Sequence, residues 1–366
     1  MQAIRLTKNP MLKNINSILN SKLKRFKQKG KNRGFTLIEL LAAMILASLI
    51  ITPLLGFMIN ILDTDRKEQA KISSEQEIQT AIDYIAQDLQ QAIYIYDAKG
   101  VDEIKRELPE KSDRVPVLVF WKREFEEEVL KIRNSRTRRQ SNDTFVYSLV
   151  AYYLIQSDKR NNRDETWSKQ FRIARFELKD GIRNPANPGS ERSPNYLRGY
   201  EPDDGFALFK LNDPQITGTL EDKMNAWEND GTPDSDMDVL IDYVDASQEN
   251  YPEPVECDTV FNLDKYPEDK KSEKEEALKV PAFEGDFSYS SSNNLKKLGN
   301  GSFYACVDID TVSAKIFLRG NGYARINDRD KDYEKSIENT GYAESRKSYF
   351  PSTSVQVKGR GLIGVE

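Results

Sequence analysis

Hydrophobic and polar positions fall along the chain in three distinct regimes. From Leu40 to Leu62 run 23 residues without a single charge, enough helix to cross the roughly 30 Å hydrocarbon core of a bilayer. Polar residues then return, yet Ile78, Ile82, Ile85, Leu89 and Ile93 recur at spacings of four, three, four and four, which puts them on one helical face. No Pro or Gly interrupts residues 63–97. The pattern therefore predicts one long helix from about Phe35 to Asp97, apolar all round over 35–62 and amphipathic over 63–97, its isoleucine stripe laid against a sheet. Pro53 and Gly56 lie inside the apolar part. A proline there removes a backbone hydrogen bond and kinks or locally melts a helix.

After Asp97 the period changes to that of strands. Val115 to Trp121, Phe145 to Ile155, Phe171 to Leu178, Val239 to Tyr243, Phe303 to Ile309 and Lys315 to Leu318 are rich in β-branched and aromatic residues. Charged residues between Phe171 and Lys179 suggest a sheet with one wet face. A helix followed by an antiparallel sheet is an α+β arrangement, here one globular domain over 98–366. Two stretches read as loops. Residues 181–238 are rich in Pro, Gly, Asn and Asp around a short apolar interval at Phe206 to Leu211, and Asp264 to Leu278 is a run of Lys, Glu and Asp that reads as solvated surface.

Charge changes the picture. The net charge of −5 hides an asymmetry: residues 1–34 carry ten Lys or Arg and no acid, leaving 44 basic against 59 acidic residues elsewhere. A basic segment beside a membrane span stays cytoplasmic, which sends the acidic C-terminal part outward. The uncharged run is too long for the apolar region of a cleaved secretory signal, whereas an uncleaved signal anchor fits its length and charge.

Candidate chemistry is sparse. The chain has no histidine, so the commonest general base and metal ligand at neutral pH is missing, and no glycine-rich phosphate loop or nucleophile elbow is present. Cys257 and Cys306 form either a disulfide, favoured outside the cytoplasm, or two unpaired buried thiols. Asp234, Asp236 and Asp238, with Asp245 beyond them, partly imitate a calcium loop, but Val239 stands where its sharp turn needs glycine, so a solvated acidic loop is the better reading. Lys131, Arg133, Arg136, Arg138 and Arg139 form a basic cluster beside Glu124 and the run Glu126 to Glu128, acids that would cancel much of its field. No aromatics interleave for stacking on bases, so nucleic acid is not an expected partner.

One carboxylate has no place in this pattern. Glu39 opens the apolar run without a neighbouring cation, although an acid in the membrane costs roughly 2.5 to 3.5 kcal/mol on insertion scales. Arg33, Gly34, Phe35, Thr36, Leu37, Ile38 and Glu39 together resemble the prepilin cleavage and methylation signature of type IV pilins and type II secretion pseudopilins. The resemblance implies cleavage between Gly34 and Phe35 by a membrane peptidase, methylation of Phe35, and a leader over 1–34. It also implies assembly with other pilins at an inner-membrane platform, with Glu39 pairing with the Phe35 ammonium of a neighbour, and a helix that unwinds around Pro53 and Gly56 when subunits pack. It implies neither enzyme activity nor a cofactor.

A narrower likeness rests on three strings: Asp65 to Lys71, Tyr84 to Asp97, and the C-terminal Ser302 to Cys306 with Lys315 to Asn321 and Tyr323 to Ile326. These resemble pseudopilins linked to hormogonium polysaccharide secretion in filamentous cyanobacteria, and J/W-type minor pilins. The rival expectation is a signal-anchored extracytoplasmic protein that binds or modifies polysaccharide.

Overall fold

The computed structural model describes residues 34–361 apart from 110, 135–137, 158–165, 191–192, 234–235, 284–294 and 296, with 131–134, 138–142, 193 and 265 described by backbone alone. Residues 1–33, which make up all but the last residue of the expected leader, lie outside the described residues with Asp234 and Arg136, as do the other side chains of the basic cluster. Contacts divide the chain into two compact units, Met1–Asp63 and Thr64–Glu366.

Helix α1 spans Leu37–Leu89. Within the first unit every described residue is exposed, including Leu46, Leu49 and Phe57. In the second unit the helix becomes one-sided, burying Ala70, Ser74, Ile78, Ala81, Ile82, Ile85, Asp88 and Leu89. It stops at Leu89, short of the expected Asp97, and the chain turns into strand β1 (Ala92–Tyr96). The reason is local: Ile93, Tyr94, Ile95 and Tyr96 are strand formers, and Tyr94 and Ile95 pair with Trp121 and Phe120 of the next strand. Asp97 then caps helix α2 (Ala98–Ile104), its carboxylate accepting from the Gly100 N–H at 2.9 Å.

The expected sheet proves to be two antiparallel sheets. Strands β2 (Arg114–Asn134), β3 (Arg138–Ile155) and β4 (Phe171–Lys179) form the centre of the first. After the two-residue ribbon β5 (Gly189–Ser190) and β6 (Ser193–Pro194) and helix α3 (Leu220–Asn225), strand β7 (Asp238–Val244) completes the order β1-β2-β3-β4-β7. Helix α4 (Glu268–Leu278) occupies most of the run read as a solvated loop; it buries Ala277 and Leu278, half-buries Lys271 and Lys274 and leaves the rest exposed. Strands β8 (Lys279–Val280), β9 (Phe303–Asp308), β10 (Ser313–Arg319) and β11 (Ser352–Lys358) make the second sheet, in the order β11-β10-β9-β8. Between β10 and β11 lie helices α5 (Ala324–Asn327) and α6 (Tyr333–Thr340). A bridge between Val244 and Gly320 links the two sheets.

The first sheet has no broad wet face. One side carries Arg175, Glu177 and Lys122 under the last turn of α1. The other carries Trp121, against which Phe206, Phe209 and Trp227 of the long 181–238 connection pack edge-on at 5.0 to 6.0 Å between ring centres. The loop thus supplies core to a sheet that α1 covers only on the opposite side.

Candidate assembly segment

The segment begins at Gly34, where an added Cβ would meet nothing within 4 Å, and Phe35, which is 81% exposed. Thr36 follows as the helix cap. Its hydroxyl accepts from the Glu39 N–H at 3.3 Å, while its carbonyl accepts from the same N–H and from that of Leu40, both at 3.1 Å. This satisfies donors that a helix start leaves open. The pattern Thr-x-x-Glu is itself a helix-start signal. Glu39 sits in the first turn, where a negative charge is favoured by the helix dipole.

Along the apolar part the polar side chains are turned back onto the backbone. Ser48 Oγ donates to the Ile45 carbonyl at 2.9 Å and Thr52 Oγ1 to the Ser48 carbonyl at 2.8 Å. Neither hydroxyl is then left to cost free energy in an apolar medium. The helix continues through Pro53 and Gly56. Proline has no N–H for the Leu49 carbonyl, and Gly56 has open space where a Cβ would lie. Leu37–Leu89 is long and apolar enough to cross a membrane, and its apolar part is exposed throughout.

In the second unit, two features hold α1 in place. The first is a close approach. A Cβ on Gly320 would lie 2.8 Å from Ile78 Cγ1, and one on Gly322 would lie 2.9 Å from the Ala70 carbonyl. Only the absence of side chains lets the helix come so near. Between them Asn321 ties the turn down: its amide donates to Gln170 Oε1 at 2.9 Å and to the Thr340 carbonyl at 3.1 Å, and its oxygen accepts from Ala324 N–H at 3.0 Å. The string Lys315 to Asn321, noted in the sequence as distinctive, is thus a seat for the helix.

The second is a buried charge cluster. Asp88 accepts from Lys122 Nζ at 3.0 Å, Tyr152 OH at 2.8 Å and Arg175 Nε at 2.8 Å. Arg175 and Lys122 also hold Glu177, at 2.7 and 3.0 Å. Burial would raise the Glu177 carboxyl, but Arg175 and Lys122 outweigh it and hold it down at about 2. Burial would likewise lower the Lys122 ammonium, while Asp88, Glu124 and Glu177 keep it above the usual lysine range. Burial and the Asp88 carboxylate push the Tyr152 phenol up, so it donates as a neutral group.

Cys257 and Cys306 are joined, with Cα atoms 5.4 Å apart. Of the calcium candidates, Asp236 and Asp238 are exposed, and Asp245 is buried with its oxygens taken by Arg319 Nε at 2.8 Å and by Ser247 N–H at 2.9 Å. Asp245 is therefore unable to close a loop around an ion.

Residues 29–55 match the family described as Prokaryotic N-terminal methylation motif. No curated protein and no solved structure matches the chain. The motif, followed by an apolar helix and antiparallel sheets, supports a membrane-anchored protein of the type IV pilin or pseudopilin class.

Proposed function

We propose that the chain is a minor pilin or pseudopilin, cut after Gly34, methylated at Phe35 and assembled through α1 into a type IV pilus-like or pseudopilus filament. The observation that carries this reading is the helix behind the methylation motif, 23 residues without charge and exposed on every side. A helix apolar all round demands lipid or other helices as its surroundings. In a membrane it holds the chain in the inner (cytoplasmic) membrane as a single-pass protein with its acidic part outside. In a filament the same surface packs against neighbouring subunits, and Glu39 meets the ammonium of Phe35 from the next one, because a charge in an apolar medium is tolerable chiefly when matched.

The role is structural and not enzymatic. It serves secretion, with polysaccharide the cargo class favoured by the C-terminal strings, or motility. Its partners are the prepilin peptidase and methyltransferase, other pilins, and the assembly platform. Mass spectrometry of the mature N-terminus tests the reading: a methylated Phe35 is expected, and an intact Met1 or a cut at any other bond would overturn it.

A further inference from the structure

We propose that the free edge of β11 takes up an extended strand from a neighbouring protein, one that runs antiparallel to β11, is apolar at alternate positions and acidic at its N-terminal end. This partner deepens the assembly reading and rests on it. β11 closes one side of the second sheet, and its register with β10 runs without a shift from Ser313↔Lys358 to Arg319↔Ser352. Just beyond its ends, the Gly359 N–H donates to the Val312 carbonyl at 2.8 Å and the Gly320 N–H to the Pro351 carbonyl at 2.9 Å. Hydrogen-bonded pairs alternate along an antiparallel ladder, so Thr353, Val355 and Val357 turn their backbone groups to β10 while Ser352, Ser354, Gln356 and Lys358 turn theirs outward. Among the described residues this outward row forms no backbone hydrogen bond.

Proteins usually blunt such an edge by making it short, bending it or covering it. The opposite edge, β8, is two residues long, and the β2–β3 pairing is interrupted by a shift between Glu126 and Leu130. β11 is seven residues long and regular, with Ser352, Ser354, Gln356 and Lys358 exposed. Between the strand and the end of α1 lies a groove of about 440 Å³ whose lining includes Ala86, Gln90, Val355 and Val357. Val357 is buried and Val355 half-buried on this side. A strand added to the edge would lay alternate side chains along the groove.

Charge decides which strand fits. Lys358 and Arg360 stand at the C-terminal end of the edge, line the groove, and form no ion pair among the described residues. β11 itself carries no acid. An antiparallel strand brings its N-terminal end to these cations, which is where its own acids find partners. A second copy of β11 does not fit. Thr353 Oγ1 donates to Gln79 Oε1 at 3.4 Å, and Lys358 shares the groove with Gln90. β11 therefore follows α1 in the same direction, both advancing about 16 Å over this interval. Two β11 strands paired antiparallel would set their helices in opposite directions, whereas a shared membrane or filament requires them parallel.

Peptide binding to the full chain in detergent micelles tests this. The probe is the octapeptide Asp-Glu-Val-Thr-Val-Thr-Val-Ser, with a version carrying lysines in place of its acids as the control. The acidic peptide is expected to slow amide hydrogen exchange at Ser354 and Gln356, and to bind about tenfold more tightly than the lysine version. Gln356→Pro removes an outward N–H while leaving the β10 ladder its own, and is expected to weaken binding by about tenfold. Lys358→Glu with Arg360→Glu is expected to reverse the preference between the two peptides, an outcome that misfolding does not produce. Equal binding of the two peptides, unchanged exchange at Ser354 and Gln356, or full affinity in the proline variant would each overturn the proposal. Protection of the same amides by self-association of the chain without peptide would overturn it too. The experiment needs neither leader cleavage nor a filament, so a negative result leaves processing at Gly34 standing.

Discussion

Asp88, in the last turn of α1, and Lys122, in β2, meet at 3.0 Å with side chains only 8% and 4% exposed. The pair fastens the end of the helix to the sheet. Asp88 also binds β3 through Tyr152 and β4 through Arg175, so one carboxylate spans three strands. Removing one member of such a cluster leaves buried charge uncompensated.

Asp88→Ala is therefore expected to destabilise the folded chain by about 3 kcal/mol, read from denaturant unfolding of the protein in micelles. Lys122→Met in the same background should cost much less than it does alone, because the two side chains share partners. Additive losses would show that the pair is not coupled.

Stability should vary with pH in two opposite senses. Burial raises Asp97 to about 6 against the opposing pull of the Gly100 N–H. The folded state then holds a proton that the unfolded chain releases near its usual carboxylate value, so stability falls as pH rises from about 4 to about 6, by on the order of 3 kcal/mol. Glu177, held at about 2, acts the other way: its contribution is present above about 4.5 and is lost as pH falls toward 2. Asp97→Asn keeps a capping side chain and should abolish the decline between about pH 4 and 6 in melting curves recorded across that range.

Gly320→Ala puts a methyl group 2.8 Å from Ile78 Cγ1. Overpacking of this kind costs roughly 1 to 3 kcal/mol. Ile78→Val, which removes the Cδ1 lying 2.9 Å from the same point while keeping Cγ1, should recover part of the loss in thermal melting. Gly322→Ala meets the Ala70 carbonyl and should not be rescued in this way.

Cys257→Ser with Cys306→Ser, or reduction of the native protein, should cost roughly 2 to 5 kcal/mol, read as a lowered melting temperature. If the reducing agent leaves the melting temperature unchanged, the bridge does not contribute to stability.

Glu39→Ala is expected to leave processing at Gly34 intact while abolishing incorporation into filaments with partner pilins, measured by shear fractionation of cells. Thr36→Ala should fray the first turn by about 1 kcal/mol of capping energy, seen as faster amide exchange at Glu39. Wild-type incorporation of the Glu39 variant would remove the pairing role assigned to that acid.

Much of this was legible in order along the chain. The uncharged run, the isoleucine stripe, six strands and the Gly34 to Glu39 string depend on neighbours within a few residues, and periodicity reports such neighbours directly. Strand β11 was missed because five of the seven residues from Ser352 to Lys358 are polar and the strand pairs only through β10. The end of α1 was set too late because Ile93 continues the helical spacing, while the residues that pair with its neighbours Ala92 and Tyr94 lie in β2, about thirty residues away in sequence.

By itself the sequence determined that this is a chain with a basic N-terminal segment, an apolar helix bearing one acid at its start, and an acidic α+β domain beyond it. Hydrophobic period and net charge are local sums, so they survive without coordinates. Only the tertiary structure decided that Asp88 faces Lys122, Tyr152 and Arg175, that the Gly320 to Gly322 turn seats the helix, and that Glu124 and Glu126 are engaged by Lys122 and Lys179. Each of these depends on residues distant in sequence meeting within a few ångströms, and whether a charge is cancelled or left to attract a partner is settled at that distance.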